Sequence, residues 1–170
     1  KNNMPYKKNY WLDNWNSYSL SIRVVVWMQQ YQKKGSHLSN KDKNIFIRSL
    51  LAQIRFLEKN LELDIGGNHL IKNVKAILWA SKFFVGDEAN KWNKFGTNLL
   101  RRITKEQITP DGVHFELSPS YHAQVFADFL ECYSILDHGD QKAEMKEILT
   151  KMAKFLNDVT HPDGLISLFG

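Results

Sequence analysis

The stretch GGNHLIKNVKAILWASKFF (residues 66–84) decides the fold class, because a glycine turn gives way there to an amphipathic helix. Leu70, Val74, Ile77 and Leu78 recur at spacings of three and four residues, the period of a helix that buries one face. The two glycines mark the preceding turn. The pattern therefore predicts a helix over about 68–84.

Other parts of the chain repeat this helical period. The further predicted helices are about 18–34, 41–61, 87–107, 119–137 and 140–158. A Val24-Val25-Val26 run in the first could also form a strand, but no alternating strand pattern competes. Short connections after the first, third and fifth helices predict antiparallel hairpins. The chain is therefore predicted to be one all-α domain over residues 1–170.

Two of the longer loops share a sequence. TPDGV (109–113) is echoed by HPDGL (161–165), with prolines 162 − 110 = 52 residues apart. Pro-Asp-Gly favours a tight turn, since Pro fixes φ, Asp bonds to the backbone and Gly adopts unusual φ. The echo predicts hairpins that repeat one plan. If each hairpin goes out and back, the three longer loops, at 64–67, 109–118 and 160–168, lie at one end of the domain. Trp15 and Tyr18 then lie at the same end.

Bulk properties describe an ordinary globular domain. Hydrophobic residues make up 43% and charged residues 24% of the 170 residues, so a sizeable core is expected. The net charge of +5 (23 − 18) favours an acidic partner, although scattered Lys and Arg also fit a solvated surface. Cys132 is the single cysteine, which excludes an internal disulfide and suggests a small core residue. No apolar run is long enough to span a membrane.

Polar pairs lie at the start of two predicted helices. Asn68 could cap its helix, or it could join His69 and the helix N-terminus in holding a carboxylate. Tyr121 and His122 follow Ser118-Pro119, a typical helix start. Tyr121 could simply pack at the surface, or its phenol could exchange protons with a substrate.

His114 and Glu116 lie in the loop before that helix. Glu116 could orient a nearby histidine or brace the loop. Spaced metal ligands, a P-loop and a nucleophile elbow are all lacking, so no metal site and no cofactor are expected in this chain.

Three motifs together resemble the heparinase II/III-type polysaccharide lyases, a group that includes heparan-sulfate and alginate lyases. They are WxxYxxSxRxxxW (15–27), GNHLxxNxxAI (67–77) and DGxHFExSPxYH (111–122). The resemblance implies part of an (α/α) toroid, followed in the family by a β-sandwich domain that this chain lacks. It also implies β-elimination at a uronic acid in a polysaccharide, with no nucleic acid partner.

The resemblance further implies residue roles. Asn68 and His69 would neutralise the uronate carboxylate, and Tyr121 would serve as general acid or base. The substrate-binding residues would be Trp15, Tyr18, Arg23, His114, Glu116 and His122. Where many relatives have an Arg after the loop glutamate, this chain has Leu117, which leaves the substrate open.

Two other functions stay open from the sequence. An α/α-toroid glycoside hydrolase would need a carboxylate pair, for which Asp111, Glu116 and Asp163 are the candidates. A non-catalytic helical module could instead bind an anionic glycan. The chain starts at Lys1 and ends within a pattern, so it is expected to be an N-terminal piece of a longer protein. The family implies a periplasmic or secreted location.

Overall fold

The computed structural model describes residues 14–167, and six α-helices account for most of them. They are α1 (Ser17–Lys34), α2 (Asn40–Lys59), α3 (Gly67–Phe83), α4 (Asp87–Gln107), α5 (Pro119–Ile135) and α6 (Asp140–Asp158). The described residues form no strand, only two isolated β-bridges. The all-α prediction is confirmed, and the valine run at 24–26 is helical because Val24 and Val25 are buried on α1.

Local signals explain where the helices begin. The Asn16 side chain caps α1 by accepting from the Ser19 N–H at 3.2 Å. Ser39 caps α2 in the same way through the Asp42 N–H. Each cap satisfies one of the N–H groups that a first helical turn leaves unpaired.

The helices divide into two compact units, residues 1–93 and 94–170, with the division inside α4. In the first unit, α1 packs against both α2 and α3. The shared core consists of apolar side chains that are at most 8% exposed, among them Leu20, Val24, Met28, Leu50, Ile54, Leu57, Ile77 and Trp92.

In the second unit α5 packs against α6 as an antiparallel hairpin. The buried side chains on these two helices are Val125, Phe129, Cys132, Met145, Leu149 and Met152. The burial of Cys132 agrees with its interpretation as a small core residue. No helix within residues 14–167 is long and apolar enough to cross a membrane.

Candidate active site

The first turn of α3 presents Asn68 without a cap of its own. Gly66 is the N-cap, and as a glycine it supplies no side-chain cap bond. Gly66 and Gly67 have φ values of 67° and 50°, a region that suits glycine. Asn68 is therefore inside the helix, so it does not act as the cap. It is only 9% exposed, and within residues 14–167 its amide has no hydrogen-bond partner. A nearly buried amide in the first turn of a helix suits an anionic ligand.

His69 follows Asn68 and is held on two sides. Its Nδ1 lies 3.1 Å from Oε1 of Glu62. The Tyr18 ring covers one face of the imidazole, with ring centroids 4.5 Å apart. The His69 side chain remains 37% exposed, so part of the ring is open to a ligand. The sequence-predicted residues Asn68, His69 and Tyr18 thus lie in one part of the first unit.

Glu62 was not among the sequence-predicted residues. It lies in the loop before α3, and its side chain is only 10% exposed. Asn73 Nδ2 donates to Glu62 Oε2 at 3.0 Å and also to Ser21 Oγ at 3.0 Å. The Glu62 backbone N–H donates to Asn73 Oδ1 at 2.8 Å. Both carboxylate oxygens therefore accept hydrogen bonds, as a buried carboxylate requires.

Two other residues predicted to bind substrate are occupied by packing. Trp15 is 2% exposed and meets Phe56 edge-to-face in the core. The Arg23 Nε donates to Gln53 Oε1 at 2.8 Å, and its guanidinium lies over the Trp27 ring. Burial lowers the pKa of Arg23. The burial of Trp15 does not fit contact with substrate. Arg23 is half-buried and joins α1 to α2, and its contact with substrate stays a prediction.

The loop before α5 is built as a backbone turn. The Thr109 N–H donates to Val113 O at 2.9 Å, and the Gly112 N–H donates to Thr109 O at 2.8 Å. In the second Pro-Asp-Gly loop, the His161 N–H donates to Leu165 O and the Gly164 N–H to His161 O, each at 2.8 Å. Donor and acceptor numbers all shift by 161 − 109 = 52, and so do the bridges Ile108–His114 and Thr160–Ile166. The two loops therefore share one turn geometry, and the repeat of whole hairpins stays a prediction.

The two histidines of this region are buried. His114 is 0% and His122 1% exposed. His122 Nδ1 accepts from the His114 N–H at 3.1 Å, so its Nε2 carries the proton that is donated to Met152 O, also at 3.1 Å. These bonds join the loop, α5 and α6. The expectation that His114 and His122 contact substrate does not fit this burial, which gives them a structural role.

Burial also determines their charge. Desolvation lowers the pKa of His114 to about 4, and the neighbouring His122 contributes further. The pKa of His122 is lowered as well, mainly by burial, although its bond to Met152 opposes the shift. Both rings are therefore neutral near pH 7.

Tyr121 and Glu116 are exposed, unlike these histidines. Tyr121 lies in the first turn of α5 and is 43% exposed. Leu117, just before the helix, has a φ of 56°, which is rare for a residue other than glycine. Ser118 is the N-cap residue as expected, but its hydroxyl pairs with Ser120 Oγ at 3.0 Å rather than with the helix backbone.

The two aspartates of the Pro-Asp-Gly loops serve the turns. Asp111 accepts from the Thr109 hydroxyl at 2.5 Å, and this bond lowers the pKa of Asp111. Asp163 accepts from the Leu165 N–H at 2.9 Å. Asp111 thus lacks the raised pKa that a catalytic acid needs. Within the described part of the chain, no group of three or more His, Cys, Asp or Glu residues could hold a metal ion.

The Asn68–His69 cluster lies in the first unit and Tyr121 in the second. The expectation that they meet at one end of the domain therefore stays a prediction.

Comparison with known proteins identifies the family. The family described as "Heparinase II/III N-terminus" matches residues 1–170. The heparin-sulfate lyase of Bacteroides stercoris is 31% identical over 102 residues, covering 57% of this chain and 15% of that protein. The heparin-sulfate lyase of Bacteroides thetaiotaomicron is 26% identical over 160 residues, covering 90% of this chain and 23% of that protein.

Solved structures give the fold. The structure described as heparinase III matches with a TM-score of 0.77 at 23% identity, covering 92% of this chain and 26% of that chain. Heparan sulfate lyase HepC from Pedobacter heparinus matches with a TM-score of 0.72 at 20% identity, covering 98% of this chain and 27% of that chain. These matches confirm the prediction that the helices are part of an (α/α) toroid. The chain spans about a quarter or less of the length of these relatives. With its full length matched, the chain belongs to the heparinase II/III family and corresponds to that family's N-terminal region.

Proposed function

We propose that the protein containing this chain is a polysaccharide lyase that cleaves an anionic, uronic-acid-containing glycan by β-elimination. The observation that carries the proposal is the unpartnered, nearly buried Asn68 amide at the uncapped start of α3, with the partly open His69 beside it. The names of the relatives favour a glycosaminoglycan as the substrate class.

The carboxylate contact is the central chemical requirement. The C5 proton of a uronic acid is weakly acidic, because its removal places more negative charge on a group that already carries the carboxylate charge. Hydrogen-bond donors held against that carboxylate stabilise the charge as it develops. In the proposal Asn68 donates through its amide, and His69 donates through Nε2 when its ring is protonated.

The proton transfers complete the elimination. A base removes the C5 proton, the electron pair forms the C4–C5 double bond, and the C4–O bond breaks toward the leaving sugar. Tyr121 donates its phenolic proton to that oxygen, or acts first as the base and then as the acid. The exposure of Tyr121 supports this role, since its side chain is open to a ligand. Further catalytic groups and the β-sandwich domain would come from the rest of the protein.

The test uses the full-length protein and measures both the products and the rate of one reaction. Elimination generates an unsaturated uronate that absorbs in the ultraviolet, whereas hydrolysis consumes water and leaves a saturated sugar. Asn68→Ala is expected to lower turnover by about a hundredfold or more, the usual cost of losing one donor to a developing negative charge. Asn90→Ala, at an exposed position on α4, is the matched control.

Three outcomes would overturn the proposal. Saturated products would indicate a hydrolase, although Asp111 and Asp163 are already engaged in turns. Binding of glycan without any cleavage would favour a non-catalytic module. Unchanged turnover in Asn68→Ala would remove Asn68 from the site.

The proposed location is periplasmic or secreted, in keeping with the bacterial heparin-sulfate lyases that the chain resembles. The proposed partner is the polysaccharide itself, with no nucleic acid and no cofactor in this chain. Detecting the protein in periplasmic or culture fractions of its host would test the location.

A further inference from the structure

We propose that Glu62 is a positioning residue that fixes the proton of His69 on Nδ1 and so leaves Nε2 to face the ligand. The effect on turnover rests on the proposed function, but the proton assignment does not. Glu62 touches no predicted substrate group and acts through His69.

The side-chain amide of Asn73, which is 0% exposed, has a single orientation that fits its hydrogen-bond partners. The Glu62 backbone N–H lies 2.8 Å from Asn73 Oδ1 and can only donate, so that atom must be the amide oxygen. Asn73 Nδ2 must then be the amide nitrogen. It donates to Glu62 Oε2 and to Ser21 Oγ, each at 3.0 Å.

Ser21 closes the network at its other end. Its hydroxyl donates to Ser17 O at 2.8 Å, so its oxygen is free to accept from Asn73. A chain of hydrogen bonds thus runs from the α1 backbone through Ser21 and Asn73 to Glu62, and each bond in it has a single possible direction. Ser21 is 1% exposed, so water does not offer these groups an alternative partner.

The direction of these bonds fixes the last one. Glu62 accepts at Oε2 from Asn73, and as a carboxylate it can only accept at Oε1 as well. His69 Nδ1, 3.1 Å from Oε1, must therefore carry a proton. When the ring is neutral, that proton leaves Nε2 with a lone pair. When the ring is cationic, Nε2 carries a second proton that can be donated to a substrate carboxylate.

A carboxylate that orients an imidazole through Nδ1 fixes both its tautomer and its ring plane. Here the Tyr18 ring packs on one face of the same imidazole. Two independent contacts thus hold His69 in one orientation while 37% of its side chain stays open.

Glu62→Gln tests the assignment because the Asn73 amide cannot exchange the positions of its oxygen and nitrogen while the N–H of residue 62 donates to the oxygen. The new amide must direct its oxygen toward the Asn73 Nδ2 donor, which directs its NH₂ group toward His69 Nδ1. His69 then satisfies that donor only with an unprotonated Nδ1, so its proton moves to Nε2. The substitution is expected to reverse the tautomer of the neutral ring.

The measurement is ¹⁵N NMR of the imidazole in the full-length protein labelled with ¹⁵N-histidine. His69 is assigned by its loss in His69→Gln. The wild-type protein should show a protonated Nδ1, and Glu62→Gln a protonated Nε2 in the neutral ring. Asp64→Asn is the control, since it removes a carboxylate from an exposed position in the same loop and should change neither signal.

A bare Nδ1 in the wild-type protein would overturn the proposal, and this measurement needs no variant to fold. An unchanged tautomer in a folded Glu62→Gln protein would overturn it too. Kinetics add a separate readout: kcat/KM for the anionic glycan should fall roughly tenfold to a hundredfold, mostly through kcat, because Glu62→Gln removes the counter-charge of the cationic ring that stabilises charge developing in the transition state. If Asn68→Ala leaves turnover intact while the tautomer reverses, the proposed function fails and the Glu62 assignment stands.

Discussion

The two histidine clusters of this chain use the same side chain in opposite ways. His69 pairs with a buried carboxylate and keeps part of its ring open. His114 and His122 are buried and neutral, and both ring nitrogens of His122 bond to backbone groups. A histidine in a family-like motif is therefore identified as a ligand-binding group by its partners and its exposure, since histidines in two such motifs of one chain differ completely.

Tyr121, the exposed tyrosine beside the buried His114–His122 pair, gives the largest expected effect on turnover. Tyr121→Phe in the full-length protein should lower kcat by about 10²–10⁴-fold, because only the proton-transferring hydroxyl is removed. Tyr121 is 43% exposed, so the thermal midpoint should stay close to wild type. Turnover measured by ultraviolet absorbance, together with a melting curve, checks both. Tyr133→Phe, on the same helix, is the matched control, and equal activity in the two variants would contradict the role of Tyr121.

Acid should lower the folding stability of the protein through the buried His114–His122 pair. His114 has an ordinary pKa of 6.5 when unfolded and about 4 when folded, so between these values the unfolded chain binds more protons. Stability is then complete above pH 6.5 and is lost as the pH falls toward 4, by about 3 kcal/mol for this shift.

Denaturant unfolding from pH 8 to pH 4 measures this loss. His114→Gln cannot titrate, so its stability should fall less steeply over that interval. If both proteins lost stability with the same slope, the neutral buried histidine would be ruled out as the cause.

Loss of the His122 hydrogen bonds should lower the unfolding free energy by somewhat less than the acid titration of His114. His122→Phe keeps a ring of similar size but leaves the His114 N–H and the Met152 carbonyl without their partner. A cost of about 2 kcal/mol or more in unfolding free energy is expected. His138→Phe, at an exposed position, should change stability by no more than about 0.5 kcal/mol. Similar values for the two variants would show that the His122 bonds add nothing.

The smallest expected effect is the difference in unfolding free energy between Gly→Ala substitutions in the two repeated turns. A Cβ on Gly112 would lie 2.4 Å from Lys151 Cβ, whereas one on Gly164 would meet no atom within 4 Å. Both glycines have positive φ, 91° and 82°, so Gly→Ala should cost about 1–2 kcal/mol in backbone strain at either position. Gly112→Ala should cost more because α6 must also move. Equal losses in unfolding experiments would mean that the first turn does not press against α6.

The helices could be predicted closely because their signals are local. Period, caps and Pro-Asp-Gly turns place every helix boundary within two residues of the structure. The Tyr18–Asn68–His69 group also followed from the motifs. Glu62 could not be found, because its contact with His69 depends on the path of an irregular loop and on Asn73 one turn further along α3.

The burial of His114, His122 and Trp15, and the contact of Arg23 with α2, were also beyond the sequence. Each lies in or beside a motif that resembles the family, and a motif alone does not separate residues that touch a ligand from residues that support them. Their neighbours across the fold, such as Met152 and Gln53, decide the difference.

The repeated turns are held by main-chain hydrogen bonds, with glycine at the one position of positive φ. Such a frame constrains few side chains, so most positions within it can change identity while the turn keeps its shape. The turn at 160–166, where Gly164 has open space around it, is therefore a suitable acceptor for transplanted residues. A new side chain at Leu165, which is 66% exposed, would be presented on the same main-chain frame and would leave the helices untouched.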